Sequence, residues 1–217
     1  MNDALFVVLM LAAAGAFLTG KIYLSREAAR AWRVSADPLG HTVYPRPPRE
    51  ARRGYRKCRI RIWGNTPGTT VELRAGDATV WLSRVQIGPA TRGSRPVESL
   101  AVLAQTGTRQ LPSMSIHPRT SLERLAVLFG GSDIRMEGDD TFTAMYRVEG
   151  RDEREIRRVL TPDLRAWFCA HAGKGSMEAR GGYAMVFVRD VDPTPEHLGA
   201  WSERLQAALR ALGVLRA

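Results

Sequence analysis

The sequence predicts an α+β fold: an N-terminal transmembrane helix, then one domain with a mainly antiparallel sheet and helices packed on it. Three observations predict it. Residues 4–20, ALFVVLMLAAAGAFLTG, carry no charge and are followed at once by Lys21, Arg26, Arg30 and Arg33. Short runs of period-two alternation crowd the first part of the body, while helical periodicity dominates toward its end. Strands grouped ahead of helices favour an antiparallel sheet over an alternating α/β arrangement.

The apolar stretch comes first. Its seventeen residues rise about 26 Å as a helix, somewhat short of a ~30 Å hydrocarbon core. Ile22, Tyr23 and Leu24 lengthen it to about 32 Å when Lys21 snorkels to the headgroups, which is enough to span. Tyr23 then sits at the interface, where amphipathic rings are favoured. Basic residues only on the C-terminal side place the N-terminus outside and the body in the cytoplasm. A cleaved signal peptide is the alternative, with Ala12-Ala13-Ala14 and Ala14-Gly15-Ala16 as small-residue sites; its product would be an exported or cell-surface domain. Against it, the region Met1-Asn2-Asp3 lacks the positive charge that a signal peptide carries. No cysteine follows the run, so nothing supports a lipoprotein anchor there.

Charge is the second strong signal. The net charge is +10, with 32 Lys and Arg against 22 Asp and Glu. Twelve of the basic residues fall between Lys21 and Arg61, opposed only by Glu27, Asp37 and Glu50, so this stretch alone carries +9. The basic character therefore belongs to the membrane-proximal part. Lys21, Arg26, Arg30, Arg33, Arg46, Arg49, Arg52, Arg53 and Arg56 are the candidate membrane-surface residues, attracted to anionic headgroups by ~1 kcal/mol each when held near them. The plainer reading is that they fix topology and stay solvated. A nucleic-acid module would spread basic residues over a folded face with stacking aromatics, so no nucleic-acid partner is expected.

The chain divides into three parts: 1–36, a transmembrane helix with a basic helical extension; 37–54, a Pro/Arg-rich linker; and 55–217, the globular domain. Lys21 to Ala36 has no Pro or Gly and continues the helix; Asp37-Pro38-Leu39-Gly40 breaks it. Tyr44-Pro45-Arg46-Pro47-Pro48-Arg49 reads as a polyproline-like spacer. Cys58, Ile60 and Ile62 alternate with arginine and Trp63 as a first strand. Thr69–Arg74 and Thr79–Ile87 flank Ala75-Gly76-Asp77 as a hairpin. Ser99–Gln105 and Ser113–His117 are further short strands. Thr120–Phe129 reads as a helix ended by Gly130-Gly131. Phe142, Ala144, Tyr146 and Val148 alternate as a strand. Asp152–Ala172 is helical but broken at Thr161-Pro162-Asp163, where Thr161 can cap and Pro162 can start a new helix. Tyr183–Arg189 is apolar on both faces and belongs in the middle of the sheet. Pro195–Leu212 is an amphipathic helix with Leu198, Trp201, Leu205, Ala208, Leu209 and Leu212 on one stripe.

Leu111-Pro112-Ser113-Met114, Phe129-Gly130-Gly131-Ser132-Asp133-Ile134, Phe142 with Tyr146-Arg147-Val148, and Leu160-Thr161-Pro162 occur in an order that resembles a loosely defined family of uncharacterised bacterial proteins. Those proteins carry one N-terminal membrane anchor and an α+β body. The resemblance covers roughly residues 111–190, implies the architecture, and brings no activity with it.

Candidate chemical sites are sparse. His41, His117, His171 and His197 include no pair at the i, i+4 spacing of a helical metal site, and no CxxC accompanies them. Cys169 and His171 would point about 200° apart on a helix, which disfavours a thiolate–imidazole pair. Cys58 and Cys169 read as two buried free thiols. Gly130-Gly131-Ser132-Asp133 follows a helix instead of opening one, so the dipole has the wrong sign for a phosphate cradle. Asp139 and Asp140 read as a turn between strands, with a cation site shared with Asp133 as the sharper alternative. Neither catalytic, cofactor nor metal residues are assigned. The expected function is a non-enzymatic, membrane-anchored interaction or accessory protein with a cytoplasmic domain and an unidentified protein partner. An enzyme with a dispersed site built from Asp133, Asp139, Asp140 and His117 is the other class; a pocket gathering those side chains would decide for it.

Overall fold

The structure, a computed structural model, describes residues 26–58, 67–75, 78–87, 97–106, 111–120, 133–171, 173–189, 191 and 194–215. The apolar stretch 4–20, Lys21, the alternating run after Cys58 and nearly all of the helix expected over Thr120–Phe129 lie outside these residues. Among the described residues no helix is long and apolar enough to cross a membrane.

The described elements are α1 (26–36), a 3₁₀ turn (Asp37–Leu39), β1 (Thr42–Tyr44), α2 (Arg49–Lys57), β2 (Thr70–Ala75), β3 (Ala78–Ile87), β4 (Val97–Gln105), β5 (Met114–Pro118), α3 (Asp140–Met145), β6 (Tyr146–Gly150), α4 (Glu153–Val159), α5 (Pro162–Ala170), β7 (Gly175–Arg180), β8 (Tyr183–Arg189) and, after a 3₁₀ turn (Pro195–His197), α6 (Leu198–Ala211). The strands form one eight-stranded sheet in the order β1-β2-β3-β4-β8-β7-β5-β6. Every pairing is antiparallel. The α+β class with an antiparallel sheet is therefore as the sequence implied, and β8 lies near its middle between β4 and β7.

Period-two alternation sorts the strand residues onto two faces. On one face Val71, Leu73, Val80, Leu82, Leu100, Val102, Ala184, Val186 and Val188 meet the apolar sides of α1 and α3 to α6 in the larger core. Phe142, Tyr146 and Phe168 interlock there, with ring centroids 5.2 to 6.2 Å apart. The Tyr146 hydroxyl donates to Phe168 O at 2.8 Å and accepts from the Gly173 N–H at 3.1 Å, so its burial leaves no polar atom stranded. On the other face Trp81, Val85, Ala101, Leu103, Tyr183, Met185 and Phe187 form a smaller core with Ala51, Tyr55 and Cys58 from α2. Thr161 caps α5 by accepting from Leu164 N, with Pro162 at the first turn, as its position in the sequence implied.

Three readings are corrected. Residues Phe142 to Val148 are not one strand: Asp139 caps a short helix by accepting from Phe142 N, and the strand begins only at Tyr146. Phe142 and Tyr146 are four apart, so the helix stacks their rings at 5.3 Å where alternation had suggested a shared strand face. Cys58 is not in a strand but ends α2, where its N–H donates to Gly54 O. The stretch read as a spacer carries secondary structure: β1 pairs with β2, and α2 starts at Arg49 directly after the extended Pro48. A strand was also missed. In β7 the sequence Gly-Ser-Met-Glu-Ala-Arg alternates, with Met177 and Ala179 in the larger core and Ser176 and Glu178 on the opposite face. It joins β8 through Gly181-Gly182, both at positive φ (55° and 81°), the backbone of a tight two-residue hairpin.

The basic helical extension is part of the body. Ala29, Trp32 and Ala36 lie on one side of α1 and are buried in the larger core. Trp32→Ala should destabilise the chain by about 3–5 kcal/mol, the cost of emptying a buried aromatic site. Denaturant unfolding of the two forms measures it, and a change below about 1 kcal/mol would mean that α1 is not part of the folded core.

Candidate functional site

The candidate membrane-surface residues fall into two groups. Arg26, Arg30 and Arg33 are exposed on α1, where Arg30 Nη1 pairs with Glu27 Oε1 at 2.9 Å. Arg49, Arg52, Arg53 and Arg56 are exposed on α2 at i, i+3, i+4 and i+7, which puts all four on one ridge. Arg46 is exposed in the connection between β1 and α2. Because α1 joins the larger core and α2 the smaller one, the sheet separates the two groups. The single basic clamp implied by sequence proximity is therefore two surfaces. Lys21 lies outside the described residues.

The α2 ridge is the better defined surface. None of its four arginines forms an ion pair among the described residues. The helix beneath them is pinned at several points. Ala51, Gly54 and Tyr55 face the sheet and are buried. The Tyr55 hydroxyl reaches Ser83 Oγ at 2.8 Å, and Ser83 Oγ lies 2.8 Å from Thr70 Oγ1. At the C-terminal end Lys57 Nζ donates to Gly181 O at 3.1 Å and sits 5.5 Å from the centre of the Tyr183 ring. Gly54 lets the helix approach: a Cβ there would fall 2.6 Å from Leu103 Cδ2 and from Tyr183 Cδ1. Cys58 is 1% exposed, and burial, reinforced by the charge of Glu178, pushes its thiol up to about 12. It is a packing group, held neutral at physiological pH.

The side chains of the dispersed-site alternative have separate surroundings among the described residues. Asp133 is buried in an ion pair with Arg119, whose Nε also donates to Thr143 O at 2.9 Å. Asp139 caps α3 and accepts from Arg165 Nε at 2.7 Å. Asp140 is exposed at the start of α3, and His117 lies on β5 opposite Arg147. His171 is engaged with Trp167, its Nδ1 2.7 Å from Trp167 O and its ring stacked at 3.9 Å, so it does not serve Cys169. Both cysteines are free, as expected, but only Cys58 is buried; Cys169 is half-buried on α5. Among the described residues no three His, Cys, Asp or Glu side chains are placed to hold a metal ion.

A second surface was not visible in the sequence. Ser113, Ser115, Glu149, Arg151, Glu178 and Arg180 line a cleft of about 290 Å³ across β6, β5 and β7. Ser115 is paired with Glu149 on one side and Glu178 on the other. The cleft lies on the same sheet face as α2, where the β8–β4–β3 part is apolar. The alternation of β7 was its only sequence signal, because the row crosses strands far apart in the chain.

No protein family and no characterised protein matches the chain in sequence. A solved structure does match in fold: the mycobacterial trehalose monomycolate transport factor A, TtfA, at a TM-score of 0.53 and 11% identity, over 88% of this chain and 96% of that one. At that identity the likeness is one of fold.

Asp139 offers a pH test of the α3 corner. Burial raises its pKa, but the hydrogen bonds from Arg165 and from the Phe142 N–H and the charge of Arg165 outweigh it, so the net shift is downward. Its contribution to stability is then fully present above the ordinary carboxyl range and is lost as the pH falls through the lowered folded value. Asp139→Asn keeps a capping side chain and removes the charge. It should cost about 1 kcal/mol at neutral pH and nearly nothing near pH 2. Urea denaturation at both values checks this, and an equal loss at both would show that the ion pair contributes nothing.

Proposed function

We propose that this chain is a single-pass, membrane-anchored accessory protein without catalytic activity. Its N-terminus lies outside, its body lies in the cytoplasm, and its arginines contact anionic lipid while the body engages a protein partner. The observation that carries the reading is the α2 ridge: four exposed arginines on two turns, none with an acidic partner among the described residues, on a helix fixed to the sheet. A solvated linker would leave such residues loosely placed; a pinned ridge presents them together and loses less entropy on contact. The uncharged run 4–20 with its basic flank supports the anchor and its orientation. Asp133 and Asp139, the carboxylates best placed for chemistry by sequence, are bound to Arg119 and Arg165, which supports a non-enzymatic role. The neighbour in fold is named as a transport factor, which fits an accessory protein better than an enzyme.

Two measurements test the reading. A reporter that fluoresces only in the cytoplasm, fused after Ala217, should light; a dark fusion with an active external reporter would establish the exported alternative. The full chain reconstituted in nanodiscs should bind added vesicles containing anionic lipid, and replacing Arg49, Arg52, Arg53 and Arg56 with Gln should weaken that binding by at least about tenfold. Binding should also fall steeply with salt, since the attraction is screened over ~8 Å at physiological ionic strength. Equal binding to neutral and anionic vesicles, with the substitutions silent, would leave the ridge as plain solvated surface.

A further inference from the structure

Val34 and Leu39 are 78% and 51% exposed, the large apolar side chains left in water among the described residues. A single exposed apolar residue is ordinary; these two are set apart by where they lie. Val34 is on α1, and Leu39 ends the 3₁₀ turn directly after it. The core side of α1 is Ala29, Trp32 and Ala36. Val34 is two residues from both Trp32 and Ala36, about 200° around the helix axis from each, so it points away from the body. Arg26, Arg30 and Val34 follow one another at i, i+4 and i+8 and share this outer row, with Arg33 beside it. Gly40 N–H donates to Asp37 O at 3.0 Å and His41 N–H to Ala36 O at 3.1 Å, so Leu39 is held in a closed turn. The outer surface from Arg26 to Leu39 is therefore basic at its start and apolar at its end.

The chain leading into α1 says what can cover that surface. The uncharged run ends at Gly20, and α1 is described from Arg26. The steps between them reach about 20 Å at full extension. Among the described elements α1 is thus the one tied closest to the anchor. Its charges fit an anionic bilayer: three arginines stand against the two acids Glu27 and Asp37. Arg26 and Arg33 form no ion pair among the described residues. Arg30 pairs with Glu27, but both side chains are exposed, and such a pair yields to a headgroup phosphate at little cost. Guanidiniums beside exposed apolar side chains suit the headgroup layer, with phosphates for the first and acyl chains for the second.

We infer that the outer face of α1 and the turn after it seat on the bilayer that the anchor enters. Val34 and Leu39 enter the boundary between headgroups and acyl chains, and Arg26 and Arg33 meet headgroup phosphates. The inference rests on the anchor reading above and adds to it a fixed orientation of the body. The α2 ridge lies on the other side of the sheet from α1. A helix is about 10 Å across, so the two helices and the sheet hold the ridge beyond the ~8 Å screening length of that bilayer. The ridge then faces away from the anchor's membrane and is open to a separate anionic surface.

Spin labelling of the full chain in phosphatidylcholine–phosphatidylglycerol nanodiscs tests this, in a Cys169→Ala background that leaves only the buried Cys58. Labels are placed singly at Val34→Cys, Ala31→Cys and Arg53→Cys, all exposed positions. Oxygen, which concentrates in lipid, and a water-soluble nickel chelate serve as relaxants. The oxygen-to-nickel accessibility ratio at position 34 should exceed that at position 53 by at least about tenfold, since a side chain in the acyl boundary exchanges water for lipid. Adding Val34→Glu with Leu39→Glu to the position 31 label should lower its ratio to that of position 53, while urea denaturation shows the fold retained. Equal ratios at positions 34 and 53, a higher ratio at 53, or no response at 31 to the two glutamates would overturn the docking and leave the anchor standing. A chain that stays out of the discs would overturn the anchor, and the docking with it.

Discussion

The middle of the sheet has no wet side, and the remaining architecture follows from covering it. Leu100, Val102, Val186 and Val188 on one face and Ala101, Leu103, Met185 and Phe187 on the other are all at most 1% exposed. Burying a large apolar side chain is worth about 1.5–3 kcal/mol, so β4 and β8 need a layer on each side. One layer is the group of α1 and α3 to α6. The other, among the described residues, is α2, a helix of nine residues with five arginines and lysines. So basic a helix is held there by what faces inward, Ala51, Gly54, Tyr55 and Cys58, and by the absence of a side chain at Gly54 where Leu103 and Tyr183 press closest.

That same constraint gives the arginine ridge its form. A helix stripe that must be apolar leaves the opposite stripe free to carry any solvated residue, and here it carries Arg49, Arg52, Arg53 and Arg56. The polar part of the same sheet face follows from the other half of the argument. The described helix α2 packs against β4 and β8. Beyond it β7, β5 and β6 present Glu178, Ser115 and Glu149 instead of apolar residues. Buried polar groups on the helix-covered side are satisfied differently. Arg119 and Asp133, both nearly inaccessible, neutralise one another, and Arg119 also holds Thr143 O. Such a pair adds little net stability but is costly to break, because one removed partner strands the other charge.

Much of the fold was legible because it rests on local physics. The strands expected over Thr69–Arg74 and Thr79–Ile87, each within a residue of the observed bounds, the two-sided apolar run Tyr183–Arg189, the cap at Thr161 with Pro162, and the stripe of Leu198, Leu205 and Leu209 were each legible in a window of a few residues. The misreadings share a cause. Phe142 to Val148 satisfies both a strand and a helix-then-strand pattern, and the choice was made by the Asp139 cap together with the packing of Phe142 on Tyr146 and Phe168. Arg49 to Lys57 has too few apolar residues to announce a buried helix, yet small residues suffice when the sheet surface supplies the bulk. The row Glu149–Ser115–Glu178 is assembled from strands up to 63 residues apart in sequence, and no local window contains it.

The sequence by itself determined the α+β class, the antiparallel preference, the central place of β8, the free thiols and the concentration of charge between Lys21 and Arg61. These depend on periodicity, capping chemistry and composition, which a chain expresses before it folds. Only the tertiary structure decided that Trp32 ties the basic extension into the main core, that α1 and α2 present their arginines on opposite sides of the sheet, and that Asp133 and Asp139 are bound to arginines. It also decided that a cleft of mixed charge opens across β6, β5 and β7. Each of those depends on which distant surfaces meet, and that is set by the two-sided burial of β4 and β8, which no single segment encodes.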